Sequence, residues 1–281
     1  MRLRQLAAAT TIAALAFTLV GCKSSSTGTG GQGTASGGTS KKFAPLTLTP
    51  TQVVSASAVK TLGARSARMS MTITATSSAT AKTTIINADG AIDFANHRGT
   101  MVLHFPSLGD IQAIFDKGVI YEKLGQLLPS QSGGKPWIKI DLTQLLGKNA
   151  TALGSLSQGS SDPSQSLAYL FGASGVTKVG SDSIRGVATT HYTGKLDLTR
   201  ATQRLTPQFR ALYQRALQQL GGSVSSLPAD LWIDGQGRLR RMSYTLKLAT
   251  STTKNTIDYF AFGTPVSVQL PPADQVTSLG G

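Results

Sequence analysis

The sequence predicts an α+β domain: a curved antiparallel half-barrel sheet with helices packed on its concave face. Three observations predict it. Long stretches alternate apolar and polar residues with period two, the mark of strands buried on one side. Turn residues separate these stretches at hairpin spacing. Other stretches repeat their apolar residues every three or four positions, as helices that bury one stripe do.

Two segments precede that domain and stand apart from its fold. Arg2 and Arg4 lead into residues 6–20, an apolar run without a charge. The run is short for a membrane span, which takes roughly 20 residues. It ends in Leu19-Val20-Gly21-Cys22, the pattern of a bacterial lipobox. Residues 1–21 are therefore expected to be a lipoprotein signal peptide, with Cys22 the lipidated residue. Cys22 is the sole cysteine of the sequence, so a disulfide within the chain is impossible. One acyl chain anchors a protein marginally and two anchor it stably. A diacylated Cys22 is expected to hold the chain on the extracytoplasmic face of the cell membrane. Residues 22–45, rich in Gly, Ser and Thr, read as a flexible tether with a reach of roughly 25 Å. Residues 46–281 read as one domain.

Charge narrows the partners. Lys and Arg number 27 against 13 Asp and Glu. The two leader arginines account for two of the +14, leaving +12 after the leader. Such a balance favours anionic surfaces: phospholipid headgroups, acidic glycolipids and wall polymers. Export excludes nucleic acid as a partner, and a monomer is expected.

Thr49-Pro50-Thr51-Gln52 announces the first helix: Thr49 caps, Pro50 suits the first position, and Gln52 completes a capping box. Val53, Val54, Ala56, Val59 and Leu62 are expected on its buried side, with Gly63 as its stop. In the first strand Ala67, Met69, Met71, Ile73 and Ala75 point one way. Ile86, Ala88, Gly90, Ile92 and Phe94 share a face of the second. Asn96-His97 turns the chain, and Met101, Leu103 and Phe105 continue the apolar face. Strands follow at 111–116 and 118–123, joined through Asp116-Lys117-Gly118, and another runs through Ile138, Ile140 and Leu142. Residues 147–162 read as a Gly/Ser-rich loop, and Asp162-Pro163 as the start of a short helix to about 171. Strands are expected at 175–181 and 186–198, with the turn at Asp182-Ser183. Residues 199–220 read as an amphipathic helix whose stripe includes Phe209 and Leu212. The closing strands are expected at 231–234, 239–249, 256–262 and 265–270.

No catalytic constellation emerges. His97, His104 and His191 form no metal-binding spacing, and nucleophile-elbow, Walker and dinucleotide patterns are absent. Asp89 and Asp93 share a strand face, which is more often a solvated pair than an acid/base site. No cofactor, no metal site and no enzyme activity are expected.

Residues 228–241 read Pro-Ala-Asp-Leu-Trp-Ile-Asp-Gly-Gln-Gly-Arg-Leu-Arg-Arg, followed by Asp258-Tyr259-Phe260-Ala261-Phe262-Gly263 and Pro271-Pro272-Ala273. Together with the lipobox, the polar tether, the first helix and the meander opening at Ser66-Ala67-Arg68-Met69, this order resembles the LppX/LprG-like actinobacterial lipoproteins. Those are relatives of the LolA/LolB carriers. The resemblance covers roughly residues 47–275. It implies a half-open barrel around helices, an apolar cavity for acylated lipids or lipoglycans, and their carriage within the cell envelope. It supplies no catalytic residues. Inward-facing apolar positions then become the cavity candidates: Met69, Met71, Ile73, Ile92, Phe94, Met101, Leu103, Phe105, Phe209, Leu212 and Tyr244. The competing expectation is a non-catalytic interaction module with a closed core, binding a protein or an anionic wall polymer.

Overall fold

Pro50–Leu62 forms the first helix, α1, in a computed structural model that describes residues 47–124, 129–141, 165–203, 210, 214, 225–248 and 250–278. The capping box is present. The Gln52 backbone N–H donates to Thr49 Oγ1 at 3.3 Å, and the Thr49 N–H donates to Gln52 Oε1 at 2.8 Å. The buried stripe differs from the expected one. It is Val54, Ser57, Ala58 and Thr61, while Val59 is 60% exposed. Two hydroxyls can enter this stripe because both are satisfied. Ser57 donates to the Val54 carbonyl and Thr61 to the Ser57 carbonyl, each at 2.7 Å. Thr61 Oγ1 also accepts from the Leu239 backbone N–H at 2.9 Å, tying the end of α1 to the sheet.

The strands are β1 Ser66–Ser77, β2 Thr83–Asp93, β3 Arg98–Phe105, β4 Gly109–Asp116, β5 Val119–Glu122 and β6 Trp137–Asp141. They continue as β7 Ala173–Ile184, β8 Val187–Asp197, β9 Ser226–Asp234, β10 Leu239–Lys247, β11 Ser251–Phe260 and β12 Val276–Ser278. All belong to one sheet in the order β12-β6-β5-β4-β3-β2-β1-β11-β10-β9-β8-β7. The sheet is thus two antiparallel meanders, joined where β1 pairs β11 from Arg68↔Phe260 to Ser77↔Ser251. The short β12 alone runs parallel to its neighbour, β6.

Local chemistry explains the reversals. Lys117 and Gly118 both have positive φ, 51° and 88°, as a two-residue hairpin turn requires. The same rule moves the β7–β8 turn from the expected Asp182-Ser183 to Arg185-Gly186, with φ of 50° and 77°. Asp182 stays in β7 and accepts from Trp232 Nε1 at 2.8 Å. Residues 265–270 form no strand, and the chain re-enters the sheet only at β12. Most of the expected helix 199–220 lies outside the described residues, as do Leu142 and the 147–162 loop. Its described start, Leu198–Thr202, is capped by Asp197, whose carboxylate accepts from the Arg200 N–H at 3.0 Å.

Helices cover one side of the sheet. α1 packs against β7, β9 and β10 and against the 3₁₀ segment Tyr169–Gly172. Ser55 donates to the Leu170 carbonyl at 3.2 Å. Leu167 and Leu170 are fully buried between these elements and the strands. The core therefore lies between the helices and the side chains of one sheet face.

Candidate functional site

The helix-bearing face of the sheet is a continuous apolar surface built by strand register. One row runs Ile111, Leu103, Ala88, Met71, Ile257, Met242, Leu231 and Tyr192 across eight strands. The row below holds Met101, Gly90, Met69 and Tyr259 side by side. Gly90 is required there. A Cβ would collide with the Thr100 carbonyl, and one at neighbouring Gly99 would lie 2.7 Å from the Ala91 carbonyl oxygen.

The helical segment 165–172 lies on this surface through aromatic contacts. Ser166 Oγ and Tyr259 Oη share a hydrogen bond of 2.8 Å. Tyr169 meets Tyr244 edge-on with centroids 5.9 Å apart, and Phe94 lies 6.3 Å from Tyr259. Burial of its hydroxyl end beside Tyr169 and Tyr259 pushes Tyr244 well above its ordinary ionisation range, although the residue as a whole is partly exposed.

Burial changes along the face. Toward the turns at residues 94–97 and 235–237, Ala67, Met69, Ile92, Met101, Leu239, Met242 and Tyr259 are buried. Toward the β1–β2, β3–β4 and β10–β11 turns, Met71, Ile86, Phe105, Tyr244 and Leu246 are only partly buried, although Ile73 among them is buried. On β11 the same face turns polar beyond Ile257, at Asn255 and Thr253. The apolar face therefore ends in a partly exposed rim.

Of the sequence-derived candidates, Met69, Ile73, Ile92, Phe94, Met101 and Leu103 are buried on this face, and Met71, Phe105 and Tyr244 stand at its rim. Phe209, Leu212 and Cys22 lie outside the described residues. Sequence reasoning passed over Tyr259, at the centre of the face, and Glu122. The register Ala113↔Glu122↔Ile138 sets this buried carboxylate among inward-facing side chains. The period of β5, Ile120 then Glu122, was the available signal.

The opposite face is polar and paired. His104 bonds Asp110 at 2.8 Å, and His191 bonds Asp230 at 2.9 Å while stacking on Trp232 at 4.4 Å. Asp258 accepts from Arg241 at 2.6 and 2.8 Å and from Arg185 at 3.2 Å. Asp234 accepts from Arg240 at 2.7 Å and Arg238 at 3.2 Å, and both guanidiniums lie over the Phe262 ring. Burial works to raise the Asp234 pKa, but the Arg238 backbone N–H and the Arg240 side chain hold it below the usual carboxylate value. A cleft of about 400 Å³ opens on this face, between Arg68, Asp89, Ala91, Thr100 and Phe260 and the passing chain at 264–267. Among the described residues no group of three His, Cys, Asp or Glu is placed to hold a metal, and no helix is long and apolar enough to cross a membrane.

No family model matches the chain. An uncharacterized 31.2 kDa protein of Streptomyces griseus is 30% identical over 171 residues, covering 59% of this chain and 55% of its own length. A candidate lipoprotein of Streptomyces coelicolor is 24% identical over 155 residues, 54% of this chain and 46% of its own. The chain thus spans about half the length of the curated relatives it matches. Among solved structures, the lipoprotein LppX of Mycobacterium tuberculosis is 18% identical with a TM-score of 0.45, covering 77% of this chain and 98% of its own. LprF of Mycobacterium bovis is 19% identical with a TM-score of 0.46, covering 79% and 96%. A LolA-superfamily protein of Nitrosomonas europaea is 9% identical with a TM-score of 0.29, covering 81% and 97%.

Proposed function

We propose that the chain is a non-catalytic lipoprotein, anchored by acylated Cys22 at the outer face of the cell membrane, that carries acylated lipid or lipoglycan within the envelope. The observation that carries the reading is the apolar sheet face, which is partly exposed at Met71, Ile86, Phe105, Tyr244 and Leu246. A lipid tail would enter over that rim and reach the row from Leu103 to Met242 by displacing the side chains that now cover it. The Leu-Val-Gly-Cys sequence at 19–22 and the candidate lipoprotein among the relatives support the anchor.

The energy scale suits a carrier. Each buried methylene is worth about 0.8 kcal/mol against water, so a fourteen-carbon tail gains about 11 kcal/mol before ordering costs. The tail comes from a bilayer, however, where it is already out of water. Exchange between bilayer and protein is therefore near balance, and cargo can be both taken up and released.

Native mass spectrometry of the chain purified without detergent, together with uptake of a fluorescent acyl lipid, tests the reading. A co-purifying lipid or saturable uptake is expected. Protein that carries no lipid and takes up none would overturn it.

A further inference from the structure

The half-buried rim has an outer surface, and its charge sets it apart from the rest of the sheet. Three hairpin ends form this edge: residues 74–88, 104–109 and 244–257. They contain Lys82, Lys247 and Lys254 and not one Asp or Glu. All three lysines are exposed, and none takes part in an ion pair among the described residues. Of the flanking carboxylates, Asp89 and Asp110 lie 3.9 and 2.8 Å from His104, and Asp197 lies 3.6 Å from Arg200. Toward the opposite edge Arg98, Arg185, Arg238, Arg240 and Arg241 are paired with Asp116, Asp234 and Asp258, and Lys117 is exposed.

The same edge carries apolar side chains in solvent. Ile85 is 49% and Leu108 55% exposed. The pair Asn87↔His104 puts Ile85, two residues farther on, level with Pro106. Ile85, Pro106 and Leu108 thus gather at one corner of the rim, outside the core. Threonines at 74, 76, 80, 83, 84, 245, 250 and 252 fill much of the remaining edge with uncharged hydroxyls.

We infer that this hairpin-tip edge is a docking surface for an anionic phospholipid membrane, with Lys82, Lys247 and Lys254 on the headgroups and Ile85 and Leu108 seated between them. Charge complementarity decides the occupant. Hairpin tips that carry three exposed lysines outside any ion pair and a few apolar side chains match the interface of an acidic bilayer, where a basic and apolar surface gains from both terms. Docking there would bring the rim of the apolar face against the bilayer, so a tail could pass between them without crossing water. The purpose of the surface rests on the carrier reading, but its existence is measured without cargo.

The test uses the full chain with Cys22→Ser, which removes the lipid and the native thiol. A single cysteine is added at Leu108 (L108C) or, as control, at the opposite edge at Lys117 (K117C), and labelled with a polarity-sensitive fluorophore. Vesicles are equal parts phosphatidylglycerol and phosphatidylcholine, or phosphatidylcholine alone. The Leu108 label is expected to shift to the blue with acidic vesicles and not with neutral ones, while the Lys117 label stays in water. Salt at about 0.5 M should reverse the shift, because exposed charges are screened. Lys82→Glu, Lys247→Glu and Lys254→Glu together should weaken partitioning at least tenfold. Equal responses at Leu108 and Lys117, no response at Leu108, or partitioning indifferent to the three lysines would overturn the inference. Lipid uptake by the same protein is scored separately, so loss of docking and loss of carriage are told apart.

Discussion

Arg185, at the tip of the β7–β8 hairpin, donates to Asp258 on β11 at 3.2 Å, reaching past β9 and β10. The same guanidinium donates to Ser70 on β1 at 2.6 Å and lies 4.1 Å over the Phe260 ring. One turn residue thus fastens the outermost hairpin to the two central strands across the polar face. A sheet with free edges needs such a tie, since among the described residues β7 has a neighbour on one side only.

Asp258 also receives both nitrogens of Arg241, so the two ways of breaking the cluster should differ. Arg185→Ala leaves the bidentate pair intact and should cost about 1 kcal/mol. Asp258→Ala strands a partly buried Arg241 and should cost about 3 kcal/mol. Urea unfolding of both variants checks the order.

Asp234 predicts an acid limb in the stability curve. Its pKa is lower folded than unfolded, so its contribution is full above the unfolded value and vanishes as pH falls through the folded one. Asp234→Asn should be less stable than the parent at neutral pH. The gap should begin to narrow below about pH 4, where the unfolded carboxyl binds its proton first, and close only below the lower folded pKa. Melting temperatures across pH 2.5–7 would show whether the two curves converge.

Position along the apolar face should separate folding from cargo. Phe94 is buried against Tyr259, so Phe94→Asp should destabilise the domain by about 3–5 kcal/mol. Met71 is half-buried at the rim, so Met71→Asp should leave a folded protein. Its acyl-lipid uptake should nonetheless fall severalfold. Paired melting and uptake measurements distinguish the two outcomes.

Gly90 should tolerate no side chain. In Gly90→Ala the new methyl meets the Thr100 carbonyl, so β2 and β3 must part, at a cost of about 1–3 kcal/mol. Thr61→Val should cost a similar amount by another route. The Leu239 N–H would lose its acceptor inside the core, which is worth about 1–3 kcal/mol. Denaturant titration reads both.

Much of the local architecture was legible in the residues. The capping box of Thr49 and Gln52, the Lys117-Gly118 turn and the facing of β1 to β3 are local chemistry. A cap needs an oxygen three residues from its N–H, and a strand needs only alternation. Alternation also foretold which of Met69, Ile73, Ile92 and Leu103 would point inward. The helical stripe read from the residues wrongly put Val59 on the buried side and passed over Ser57, because a helix shows its buried stripe only when its neighbours are known. Ser57 and Thr61 entered the core on hydrogen bonds that no apolar pattern displays.

The sequence by itself determined which side chains share a face, where the helix starts and which turn chemistry joins β4 to β5, since these depend on residues a few positions apart. Tertiary structure alone decided that β1 pairs β11, that β12 joins β6 in parallel and that Arg185 spans to Asp258. It alone set which positions of the face stay partly exposed, Met71 among them, while Met69 and Ile73 on either side are buried. Those outcomes rest on contacts between segments far apart in the chain, and period-two alternation names a face without naming a partner.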